Sequence, residues 1–160
     1  MRKETFDLAE GFDRVRWGDD AETVRSFYPD ARTPARRVGV DPRTGERIVR
    51  HAGGLVMSRP DIAVPVPSEA LILGLSVGFD EQGVTQLERS SHGPLERHAD
   101  LSDDELTEVV MTYAERTARE LGLEPSDPGR AEQEWSVGDV RVRLLLEWDG
   151  FHFRFERPRP

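Results

Sequence analysis

The spacing of hydrophobic positions changes from one segment of this chain to the next, and the changes mark its elements. Leu71, Leu73, Leu75, Val77 and Phe79 recur at every second residue, the period of a strand with one buried face. Their alternates, Ile72, Gly74, Ser76 and Gly78, are mostly small and allow close approach from that side, most cheaply by a helix. Asp80 to Gly83 turns the chain back. Farther on, Leu106, Val109, Val110, Tyr113, Thr117 and Leu121 recur at three and four, which predicts an amphipathic helix. Ser102 with Glu105 makes a capping box, Asp103 and Asp104 suit the positive end, and Gly122 closes the helix. A shorter stripe, Val24, Phe27 and Tyr28, predicts another helix, capped by Asp19 or Asp20 and stopped by Pro29. Trp17-Gly18 before it reads as an apolar staple followed by a bend.

Strands fill most of the rest. Val38 and Val40, then Ile48, flank Asp41, Pro42 and Gly45 and predict a hairpin. Between residues 53 and 70, Pro60, Pro65 and Pro67 exclude a central strand, yet Leu55, Val56, Met57, Ile62, Val64 and Val66 are apolar. Such a segment folds over the core or presents a binding surface. The C-terminal stretch "WSVGDVRVRLLLEWDGFHFRFER" carries two turn pairs, Gly138-Asp139 and Asp149-Gly150, and predicts a three-stranded meander. Folding on the first places Trp135 opposite Val142. Folding on the second places Trp148 opposite Phe151, Leu146 opposite Phe153 and Leu144 opposite Phe155; Glu147 then meets His152, Arg143 meets Glu156, and Leu145 sits opposite Arg154.

The pattern predicts an α+β fold with two helices packed on an antiparallel sheet of about seven strands, in one domain spanning 1–160. "DDAETVRSFY" and "DDELTEVVMTY" look alike, which suggests two helix-plus-meander halves, 1–98 and 99–160. Trp135, Leu144, Leu146, Trp148, Phe153 and Phe155 are expected to bury together against Leu106, Val110 and Tyr113.

Charge narrows the partners. The net charge of -9 disfavours nucleic acid and an anionic membrane, both of which reward clustered Lys and Arg. Without Cys there is neither a disulfide nor a thiolate site. "MRKETFDLAEGFD" lacks the apolar run of a signal peptide and no stretch is apolar enough to span a bilayer, so a cytoplasmic location is expected. The absence of Asn, a single Lys (Lys3) and abundant Arg, Ala and Gly fit the coding sequence of a GC-rich bacterium. Arg32, Arg36, Arg37, Arg43, Arg47 and Arg50 form a basic segment that reads as the solvated face of a hairpin. Phosphate loops, paired-glycine nucleotide turns and HExxH are absent. "SSHGPLERHAD" gathers Ser91, His92, Glu96, His98 and Asp100, which reads as a solvated loop rather than as a zinc site or a Ser-His-Asp set. No cofactor, metal site or catalytic residue is expected.

Three segments, "RWGDDAETVRSFYP", "VGFDEQGVTQLE" and "EWSVGDVRVRLLLEW", give a pattern that resembles small bacterial α-plus-meander proteins, of which the beta-lactamase-inhibitor protein and BamE-like folds are known members. The resemblance implies a scaffold that binds proteins and performs no chemistry; the chain departs from it in lacking Cys and an export signal. The function expected is a non-catalytic protein-binding module, inhibitor- or immunity-protein-like, for which a partner with a basic surface suits the negative charge. The candidate contacts are Arg143, Leu145, His152 and Arg154 on the outer face of the meander, and Val56, Met57 and Ile62 in the apolar loop. The alternative is a ligand-binding or enzymatic pocket over the Gly74, Ser76 and Gly78 strand face.

Overall fold

A computed structural model describes residues 2–33, 36–40, 47–51, 61–124 and 131–157. The chain runs β1 (Gly11–Phe12), β2 (Val15–Arg16), α1 (Ala21–Phe27), β3 (Arg36–Val40), β4 (Arg47–His51), β5 (Ile62–Val66), β6 (Leu71–Asp80), β7 (Gly83–Pro94), α2 (Asp103–Glu120), β8 (Glu132–Val137), β9 (Val140–Glu147) and β10 (Gly150–Glu156). Six strands make one antiparallel sheet in the order β5-β6-β7-β10-β9-β8, and β1-β2 and β3-β4 are separate two-stranded ladders. The protein is therefore α+β, with an antiparallel sheet, two α-helices among the described residues and a C-terminal meander.

The sheet has one apolar and one polar face. On the apolar face Ile62 and Val64, Leu73, Leu75 and Val77, Leu87, Phe151, Phe153 and Phe155, and Val142 and Leu144 form a single buried cluster. Both helices enter it, α2 through Leu106, Val110, Ala114 and Ala118 and α1 through Val24. The capping box of α2 forms as expected, with Glu105 N–H donating to Ser102 Oγ and Ser102 N–H to Glu105 Oε1, both at 3.2 Å. Gly122 follows α2 at φ +70°, a conformation that suits glycine.

The Trp17-Gly18 pair does more than start a helix. Asp20 is the N-cap of α1 and accepts from Thr23 N–H at 2.7 Å. The Trp17 indole donates to Leu8 O at 2.8 Å, while Gly18, at φ +88°, lies against the β6–β7 turn. There Gly18 N–H donates to Val84 O and Val84 N–H to Asp19 O, at 3.2 and 2.9 Å. A side chain at Gly83 would meet the Gly18 carbonyl oxygen at 2.3 Å, so glycine is required for this approach.

The structure corrects three expectations of pairing and cover. Residues 62–66, read as part of a long loop, form edge strand β5, where Pro65 is tolerated at the sheet's outer rim. The β8–β9 register agrees with the sequence, Trp135 opposite Val142, but the β9–β10 turn consists of Trp148 and Asp149, with Glu147 paired to Gly150. The register thus differs by two residues from that expected: Leu146 meets Phe151, Leu144 meets Phe153, Leu145 meets His152 and Arg143 meets Arg154. A two-residue shift preserves the faces, so the apolar set stays inward, but it carries Trp148 into the turn, where it is 56% exposed rather than buried. Neither described helix lies over Gly74, Ser76 and Gly78, because α1 and α2 both join the cluster on the opposite face.

Candidate functional site

The ladders place Gly74, Ser76 and Gly78 of β6 beside Ser90, Glu88 and Gln86 of β7, and these beside His152, Arg154 and Glu156 of β10. This middle of the polar face gathers buried polar side chains from neighbouring strands. Glu88 is 3% exposed and His152 9% exposed, and Glu88 Oε1 lies 2.9 Å from His152 Nδ1. Ser90 Oγ lies 3.0 Å from His92 Nε2, two residues along the same strand and therefore on the same face. Gly74 makes room for the imidazole, since a β-carbon there would stand 3.4 Å from His92 Nε2. His92 is held below the usual imidazole range, first by desolvation and then by the neighbouring His152, against an opposing pull from Glu88. A neutral His92 ring can accept the Ser90 hydroxyl proton or donate to its oxygen.

The rim of this face is an ion-pair ladder. Arg143 bonds Glu132 and, at 3.1 Å from Nε to Oε1, Glu134; Arg154 bonds Glu156, which also accepts from Gln86 Nε2 at 3.0 Å. The expected pairs Glu147 with His152 and Arg143 with Glu156 are therefore replaced by Glu88 with His152 and by Arg143 with Glu132 and Glu134. The cause is the two-residue register and the arrival of β7 as β10's other neighbour.

The candidate contacts separate accordingly. Arg143, Leu145, His152 and Arg154 share this polar face; Leu145 is half-buried with His152 on one side and Glu132 on the other. Ile62 is 1% exposed and belongs to the core, so it offers no surface, and Val56 and Met57 lie outside the described residues. The basic segment's Arg36, Arg37, Arg47 and Arg50 fall on β3 and β4, and Arg32 pairs through its backbone with Ala63.

"SSHGP" is strand rather than solvated loop, because β7 runs on to Pro94. Ser91 consequently faces the core, where its Oγ accepts from Phe151 N–H at 2.9 Å, apart from His92 on the other face. Among the described residues no group of three or more His, Cys, Asp or Glu is arranged to hold a metal. Glu88 and Ser90 escaped sequence reasoning, although Gln86, Glu88, Ser90 and His92 alternate at period two and so signal a polar strand face.

A concavity of about 380 Å³ runs beside α2, away from this face. It is walled by Glu69, Glu105, Glu108 and Tyr113, but Glu105 is engaged in the capping box and the Tyr113 hydroxyl is held by Ser68 and Ala70 N–H. No helix among the described residues is long and apolar enough to cross a membrane. No protein-family model matches the chain, and neither does any curated protein or solved structure.

Proposed function

We propose that the protein is a non-catalytic binding module, of the inhibitor or immunity-protein kind, which meets a partner protein through the polar face of its sheet. The observation that supports this reading is the placement of the helices: both described helices pack on the apolar face, while the polar face carries Arg143, Leu145 and Arg154 along the three-stranded pairing of β8, β9 and β10. A half-buried Leu among Arg residues has the composition of an interface anchor. The net charge of -9 suits a partner with a basic surface. The resemblance to the beta-lactamase-inhibitor protein and BamE-like folds, and a bacterial, cytoplasmic setting, belong to the same proposal and rest on the sequence alone. Leu145→Arg, which puts a cation opposite Glu132, should keep the fold intact and abolish capture of any stoichiometric partner held by the unaltered protein. Equal capture by both proteins refutes this use of the face.

A second reading has its own observation. Ser90 and His92, 3.0 Å apart above Gly74, form a polar pair over the small-residue strand, as a pocket for a ligand or substrate would require. Loss of a small-molecule binder on Ser90→Ala, with Leu145→Arg unaffected, would favour it over the protein-binding reading.

A further inference from the structure

A buried carboxylate that satisfies only one of its two oxygens needs an explanation. Glu88 is such a group: Oε1 meets His152 Nδ1 at 2.9 Å, whereas Oε2 is closed to solvent and has no hydrogen-bond partner among the described residues. The donors nearest in register are otherwise engaged, His152 Nδ1 with Oε1, the Ser90 hydroxyl with His92, and the Arg154 guanidinium with Glu156. Beside Glu88 on β6 stands Ser76, flanked by Gly74 and Gly78, so no large side chain of that strand fills the space next to the carboxylate.

We propose that Glu88 Oε2 is the acceptor for a lysine ammonium of the partner protein, inserted over the Ser76 strand. An anionic oxygen lacking a donor selects a cation that carries N–H groups, and a protein of net charge -9 attracts one from a distance. An ammonium suits the site better than a guanidinium. The guanidinium fork needs two parallel acceptors, and Oε1 is already taken by His152, whereas an ammonium is a compact charge on a slender stem. Entry requires the side chains that close Oε2 to move; His92, four residues along β7 on the same face, rests over Gly74 with Nε2 3.0 Å from Ser90 Oγ and reports on that movement.

This inference rests on the reading that the polar face is the binding surface, but its test needs no partner. The purified protein is titrated with butylammonium and, separately, with Nα-acetyl-lysine methylamide, while the His152 and His92 ring signals are followed by NMR. The expected result is a saturable shift of both rings with either ammonium, a weaker response to butylguanidinium and none to butanol. Glu88→Gln, which keeps the shape and removes the charge, should weaken ammonium binding roughly tenfold or more. Ser76→Leu should block it while leaving the Glu88–His152 pair in place, which covers the case of a Glu88 variant that fails to fold. Absence of a saturable response, equal binding by both variants, or binding of butylammonium without the lysine derivative would overturn the proposal. A positive titration alongside unchanged partner capture by Leu145→Arg would instead separate the ammonium site from the protein-binding reading.

Discussion

Ser91 crowds Gly150: its Oγ lies 3.1 Å, and its carbonyl oxygen 3.3 Å, from the point that a β-carbon on Gly150 would occupy. The same hydroxyl accepts from the buried Phe151 N–H at 2.9 Å, so this contact fixes where β10 begins against β7. In an unconstrained strand, Gly→Ala gains about 0.5–1 kcal/mol through backbone entropy. Here the neighbour includes main chain, which cannot give way cheaply, and Gly150→Ala is expected to lose about 1–3 kcal/mol as overpacking. Chemical denaturation gives the sign directly, and a stabilised variant would show that the contact relaxes freely. Ser91→Ala, which strands the Phe151 amide, should also lose about 1–3 kcal/mol.

That contact also explains what the sequence could and could not disclose. The second helix is legible because Ser102, Glu105, the apolar stripe and Gly122 are all local signals. The β8–β9 turn is legible too, since Gly138 adopts φ +60° and serves the turn its sequence advertises. Asp149-Gly150 looks like the same device, yet Gly150 is a glycine for the sake of Ser91, a neighbour that no local pattern reveals. The consequence is a register two residues off, with faces right and partners wrong. The candidate site was hidden for a related reason: the Glu88–His152 pair joins positions 64 residues apart, and forms only because β10 inserts between β7 and β9.

Phe153 is fully buried, with its ring centroid 6.5 Å from that of Trp135, 5.9 Å from Phe151 and 6.2 Å from Phe155. Phe153→Ala should therefore cost about 3–5 kcal/mol, as truncation of core aromatics does. Trp148→Ala removes a larger but exposed side chain and should change stability by no more than about 0.5 kcal/mol. Thermal or denaturant unfolding of the two variants measures the contrast, and similar losses would mean that Trp148 is covered in solution.

Tyr28 ties the N-terminal ladder to α1. Its hydroxyl donates to Asp13 Oδ1 at 2.9 Å and accepts from Arg14 N–H at 3.0 Å, while Asp13 holds φ +57° in the β1–β2 turn. Burial, then the Asp13 charge, pushes the phenol well above its ordinary range. A phenol raised in the folded state stabilises the fold fully below the unfolded value near pH 10, and that contribution falls away as pH rises above it. Tyr28→Phe should lose about 1–2 kcal/mol at neutral pH through the unpaired Asp13 and Arg14 groups. It should also flatten the decline in stability above about pH 10, which an alkaline unfolding series would reveal. A variant with the same alkaline slope as the unaltered protein would assign that slope to other groups.

His92 offers the most direct probe of the candidate site, because its charge senses both members of the Glu88–His152 pair. Desolvation is the main cause of its lowered value, the neighbouring His152 adds to it, and Glu88 opposes it. The folded protein therefore binds fewer protons at His92 than the unfolded chain does. Stability should fall as pH drops through the unfolded value near 6.5, and level off once the folded value is passed. Substitutions should move the midpoint in opposite directions. Glu88→Gln removes the opposing carboxylate and lowers it further, whereas His152→Gln removes the like charge and raises it. An NMR titration of the His92 ring in the three proteins reads all of this from one signal. A midpoint at or above that of an unstructured histidine would contradict the desolvated environment, and a midpoint deaf to both substitutions would dissolve the cluster as an electrostatic unit.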